Sequence, residues 1–90
     1  MTELRETKIK RLHMRSIRRG IKEMDLILTA YATQHLPGLS DPELATYDAF
    51  LSEYDHDLYA WVTRQGTAPT QYTGIMAAVM DLASGLTRPN

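Results

Sequence analysis

The sequence predicts an all-α fold, a compact bundle of about five short helices in a single domain. Three observations lead there. Apolar residues recur at helical spacing in separate stretches, capping and breaking residues fall between those stretches, and no stretch alternates apolar with polar as a strand would. The first helix is expected from Thr2 to Arg18, where Leu4, Ile9, Leu12 and Ile17 are sparse, so residues 1–10 are expected to fray. A second, from Ile21 to His35, sets Met24, Ile27, Leu28 and Tyr31 on one face, which makes it the expected centre of the core. Pro37-Gly38 ends it. Ser40-Asp41-Pro42-Glu43 reads as a capping box opening a third helix from Asp41 to about Glu53, with Leu44, Tyr47, Phe50, Leu51 and Tyr54 turned inward. Asp55 is expected to cap a short fourth helix that carries Leu58, Trp61 and Val62 and ends at Gly66, with Trp61 as a core anchor. The last helix, from Gln71 to Ser84, places Tyr72, Ile75, Met76, Val79, Met80 and Ala83 on one face. Gly85 is expected to lie past its end, before a flexible tail over 86–90.

Ninety residues with 43% hydrophobic content suit one core of modest stability. With no cysteine there is no disulfide framework, thiolate metal site or thiol nucleophile. No run approaches the 18 or so apolar residues of a membrane helix, and Glu3 and Glu6 sit where a signal peptide needs an apolar region, so a soluble, cytoplasmic protein without membrane insertion is expected. The net charge of -1 conceals an asymmetry. Residues 1–22 carry eight cations against two carboxylates, a balance of +6, while the remainder carries two against nine, a balance of -7. Such separation is expected to orient encounters with a partner.

Catalytic chemistry is poorly provided for. His13, His35 and His56 fall on separate elements with no activated serine or threonine beside them. Asp55-His56-Asp57 has metal-binding atoms, but adjacent residues at a helix start seldom converge, and the triplet reads as a capping turn. No phosphate-cradling loop occurs, and the five tyrosines, with Met76 and Met80, read as core and core-margin residues. The expectation is therefore no enzyme, no metal and no stably bound cofactor.

The unusual stretch is Arg18-Arg19-Gly20-Ile21-Lys22-Glu23-Met24-Asp25. A glycine inside a helix costs up to about 1 kcal/mol relative to alanine, so Gly20 can serve as a break between two helices. A glycine at an exposed, densely charged corner also lets another backbone come close, with flanking Arg and Glu side chains placed for charge-assisted hydrogen bonds.

This stretch resembles the RGxxE signature of the succinate dehydrogenase assembly factor family. Leu39 to Glu43, Tyr47, Phe50-Leu51 and Asp55-His56-Asp57-Leu58-Tyr59-Ala60-Trp61 are similar to that family's downstream pattern, in its order and at its spacing. Met14, Ile17 and Met24 depart from it, standing where an aromatic residue, a cation and a leucine are usual. The resemblance implies a helical assembly factor, monomeric when free. It would bind the flavoprotein subunit of succinate dehydrogenase or of fumarate reductase and promote covalent flavinylation with FAD. It further implies that Arg18, Arg19, Gly20, Glu23 and Asp25 form the protein-binding site, and that FAD belongs to the client. The rival expectation is a small regulatory or nucleic-acid-binding protein using the basic amino-terminal helix. An acidic remainder, a pI near 6.3 and the lack of aromatic residues among the cations count against it.

Overall fold

The computed structural model describes residues 3–87, with side chains through residue 85. Five α-helices follow one another: α1 (Arg5–Ser16), α2 (Lys22–His35), α3 (Asp41–Leu51), α4 (Asp55–Val62) and α5 (Thr73–Thr87). Short 3-10 turns occupy Leu36–Gly38 and Thr70–Tyr72, and no strand occurs among the described residues. The chain is all-α, as expected. Residues 1–2 and 88–90, and with them parts of the expected frayed start and tail, lie outside the described residues.

Helix boundaries follow local chemistry. α3 opens on Ser40, whose Oγ accepts the Glu43 N–H at 3.3 Å while the Glu43 carboxylate accepts the Ser40 N–H at 2.8 Å. That reciprocal pair satisfies two donors the helix itself cannot, and the Ser40 backbone N–H, with the Ser40 hydroxyl beside it, holds the Glu43 carboxyl below its ordinary range. α1 is shorter than expected, because Ile17 turns extended and Arg18 enters the left-handed region at φ 57. α4 also ends differently. Arg64, at φ 64, takes the left-handed position, and the Gly66 N–H closes onto the Ala60 carbonyl at 3.2 Å beside the Trp61 ring. α5 runs on through Gly85, since a single glycine's cost falls within what a packed helix tolerates.

α2 lies at the centre and packs against α1, α4 and α5. It contributes Met24, Ile27, Leu28, Tyr31 and Ala32 to a core completed by Leu12, Leu36, Leu44, Tyr47, Phe50, Leu51, Leu58, Tyr72 and the inward face of α5. Trp61 and Tyr54, both expected inside, are not enclosed. Trp61 is half-buried at the core margin, its ring 6.3 Å from Phe50 and 6.0 Å from Tyr72. Tyr54 is 80% exposed, because α3 stops at Leu51 and the turn through Ser52 and Glu53 directs it outward.

Arginines dock α1 onto the rest of the bundle. Arg5 pairs with Asp41 at 3.1 Å and donates to the Pro37 and Leu39 carbonyls. Arg11 bridges Glu3 and Asp48 at 2.9 and 3.0 Å, Arg15 also pairs with Asp48, and Arg19 pairs with Asp55 at 2.8 Å. The acceptors Asp41, Asp48 and Asp55 recur every seven residues. Four of the eight cations in residues 1–22 are thus consumed inside the molecule, and much of the charge asymmetry is the two halves of an internal seam.

Candidate functional site

The corner between α1 and α2 gathers the residues singled out by the motif. Arg19, with its side chain 11% exposed, reaches inward. Its Nε donates to Asp55 Oδ1, one terminal nitrogen donates to the Arg15 carbonyl at 2.9 Å, and the other donates to the Leu51 carbonyl at 3.0 Å. One guanidinium therefore serves the last turns of α1 and α3, where unpaired carbonyls carry the negative ends of the helix dipoles. Asp55 lies in the first turn of α4, where a carboxylate meets the positive end. The corner is where the ends of α1 and α3 meet the starts of α2 and α4.

Asp55 does not play the capping part expected of it. It is the first residue of α4 and does not cap it. The N-cap is Tyr54, which makes no side-chain cap, and both Asp55 oxygens turn to the α1–α2 corner. Oδ2 accepts the Gly20 N–H at 2.7 Å, and a Cβ built on Gly20 would stand 2.9 Å from that oxygen. Gly20 does not occupy the left-handed region, which falls to Arg18. Asp25, half-buried in the first turn of α2, accepts the Arg19 backbone N–H through Oδ1.

The five motif residues are brought together but face different ways. Arg19, Gly20 and Asp25 are engaged internally, whereas Arg18 and Glu23 are exposed and their side chains, among the described residues, have no hydrogen-bonding or ion-pair partner. Glu23 stands at the rim of an open groove of about 490 Å³ between α2, α4 and α5, floored by Ile27, Tyr59, Val62 and Met80 and bordered by Arg64. Leu26, 54% exposed, lies one turn along α2 from Glu23. Among the described residues no group of three or more His, Asp or Glu side chains is disposed to hold a metal ion. His13 meets Thr33 Oγ1 at 3.3 Å, His35 stacks on Tyr31 with centroids 4.8 Å apart, and His56 is exposed.

With this geometry in place, comparison with known proteins is decisive. The family described as flavinator of succinate dehydrogenase matches the chain over residues 10–83, which include the whole corner and all of α2, α3 and α4. The chain belongs to that family. Similar curated proteins share the name "Succinate dehydrogenase assembly factor 2, mitochondrial". That of Meyerozyma guilliermondii is 50% identical over 62 residues, covering 69% of this chain and 46% of its own length. That of Candida glabrata is 48% identical over 54 residues, covering 60% and 35%. That of Mycosarcoma maydis is 39% identical over 71 residues, covering 79% and 30%. The chain spans less than half the length of these relatives.

The relatives' names overturn the cytoplasmic expectation, because they are mitochondrial proteins. Composition, absent cysteines and absent long apolar runs carry no address. Of the residues that depart from the flavinator pattern, Met14 is 65% exposed, Ile17 half-buried and Met24 enclosed in the core. Asp55 is the site residue that reasoning from the sequence assigned elsewhere. Its aspartate in D-x-D-L-x-x-W is visible in the sequence, but its partner lies 35 residues away, and a cap is the local reading of any aspartate before a helix.

Proposed function

We propose that the chain is an assembly factor that binds the flavoprotein subunit of succinate dehydrogenase and promotes its covalent flavinylation. The observation that carries this reading is the corner itself. In a member of the flavinator family, the motif presents one unpaired cation, Arg18, and one unpaired carboxylate, Glu23, on a rigidly tied turn. Glu23 and Arg18 make the polar contacts with the client, Arg19, Gly20 and Asp25 hold their backbone, and the groove beside Glu23 adds apolar area. Charged groups of this kind fix register and suppress wrong partners more than they add raw affinity.

The assembly factor is not an enzyme in its own right. It favours the client conformation in which the client's own side chain and the flavin ring are oriented to react, and orientation alone can supply several kcal/mol of a barrier. FAD is held by the client, the chain works as a single copy, and the flavoprotein subunit of fumarate reductase is a second client by the same contacts.

The test is co-expression of the full chain with the flavoprotein subunit, followed by affinity capture and in-gel fluorescence of covalently attached flavin. The expected result is capture of the subunit and a rise in covalent flavin that depends on Glu23. Flavin attachment that is the same with and without the chain would sink the proposal.

A further inference from the structure

We infer that Asp55 is a positioning residue for the partner surface, and that its carboxylate is the reason position 20 must be glycine. The inference rests on the reading that this corner meets the flavoprotein subunit.

Asp55 uses both oxygens on two successive residues, Oδ1 for Arg19 Nε at 2.8 Å and Oδ2 for the Gly20 N–H at 2.7 Å. The Gly20 N–H bond holds the Arg19–Gly20 peptide, the Arg19 side chain pins the carboxylate that accepts it, and charge-assisted bonds of this kind are strong. A Cβ at position 20 would meet Oδ2 at 2.9 Å, closer than such carbons stand to other atoms in folded proteins, while the remaining Asp55 atoms lie at ordinary contact distances of 3.8 and 3.9 Å. Only the carboxylate oxygen excludes a side chain there. The backbone does not, because Gly20 avoids the left-handed region and Arg18 occupies it.

Arg18 makes the hold consequential. A non-glycine residue stays at φ 57 only where its surroundings enforce it. The enforcement comes from the residues that follow it, through Arg19 N–H on Asp25 and through Arg19 Nε and Gly20 N–H on Asp55. Loss of the Asp55 carboxylate lets this turn relax toward an ordinary conformation, which moves the Arg18 side chain and the entry into α2 relative to Glu23. The fourth helix thereby sets the presentation of a motif whose glycine lies 35 residues before Asp55.

The experiment combines a melting cycle with a binding measurement on the full chain. Gly20→Ala, Asp55→Ala and the double variant are compared by thermal melts, and their Kd for the purified flavoprotein subunit is measured at a temperature where each is folded. Gly20→Ala is expected to lower Tm when Asp55 is present and to have no further effect in the Asp55→Ala background, the coupling expected of groups in contact. Each variant is expected to weaken binding by at least about tenfold. Leu44→Val, a core trim near the opposite end of α3 with a similar loss of Tm, should bind like the parent. Where Asp55→Ala does not fold, Asp55→Asn takes its place, since its amide keeps one acceptor and turns a donor toward the other N–H. Equal Tm costs of Gly20→Ala in both backgrounds would overturn the inference, as would parent-like binding by folded Asp55→Ala. A parent chain that does not bind the subunit would remove the functional reading and the positioning role with it, while the melts still decide whether Asp55 dictates the glycine.

Discussion

Ser16 is fully buried at the end of α1, and its hydroxyl donates to the Leu12 carbonyl at 2.8 Å. That commits its one proton, so in the 2.6 Å contact between Ser16 Oγ and Tyr47 the phenol must be the donor. Tyr47→Phe is expected to cost about 1 kcal/mol, and Ser16→Ala, which leaves the phenol without an acceptor, about 1 to 3 kcal/mol, both read from thermal melts. Burial pushes the Tyr47 phenol above its ordinary range. A raised folded-state value contributes stability below the unfolded value near 10, and this contribution is lost as pH rises further, so the gap between parent and Tyr47→Phe should narrow above about pH 10. Glu23 belongs to another class. Exposed in the first turn of α2, it contributes about 0.3 to 1 kcal/mol through the dipole. Glu23→Ala should therefore melt within a few degrees of the parent, while covalent flavin in the co-expressed subunit falls toward the level without the factor. The motif positions were legible in the sequence as a charged corner around a glycine, but their directions were not. Whether Arg19 points in or out depends on the Arg15 and Leu51 carbonyls and on Asp55, and the last two are remote in sequence.

At the scale of elements, α1 has only a thin apolar stripe and encloses Leu12 and Ser16 alone among its residues, so its docking depends on the arginine seam. Individual exposed pairs are worth about 0 to 1 kcal/mol, whereas Arg19–Asp55 is largely shielded, and truncating one partner of such a pair can cost about 3 kcal/mol. Arg19→Ala is expected to loosen α1 first, visible as faster amide exchange over 5–16 than over α2. Acid should act along the same seam. The Arg11 side chain, with Arg15 nearby, holds the Asp48 carboxyl below its ordinary range, and Arg11 does the same for Glu3. Depressed carboxylates stabilise the fold above their unfolded values near 4, and this contribution is lost as pH falls through the folded-state values. Tm should therefore decline below about pH 4, and Asp48→Asn should flatten that decline. Helix existence and order were legible because caps and periodicity are local, as the Ser40–Glu43 box shows. The ends of α1 and α5 were not, since Arg18 in a left-handed conformation and Gly85 inside a helix are tertiary outcomes.

Across the whole molecule an aromatic series joins the layers, with His35 on Tyr31, Tyr31 4.9 Å from Tyr47, Tyr47 6.1 Å from Phe50, and Phe50 5.2 Å from Tyr72. Trp61 adjoins the end of this series without being enclosed by it. Complete truncation of an enclosed aromatic costs about 3 to 5 kcal/mol, so half-buried Trp61→Ala is expected to cost about 2 kcal/mol, checked by denaturant titration. The sequence marked Trp61 as apolar and large, but its share of solvent is decided by how α4 and α5 meet.

The placement of Trp61 also equips the protein with an optical signal. It is the sole tryptophan of the chain, and its ring lies 6.0 Å from Tyr72, close enough for light absorbed by the tyrosine to be emitted by the indole. It borders a shallow cleft with Arg64, Pro69, Met76 and Met80, and Arg64 and Met80 also line the groove rimmed by Glu23. Intrinsic emission therefore follows two events without any label. Unfolding separates Tyr72 from the indole and shifts the emission to the red, whereas a protein settling along α4 and α5 removes water from the indole and shifts it to the blue.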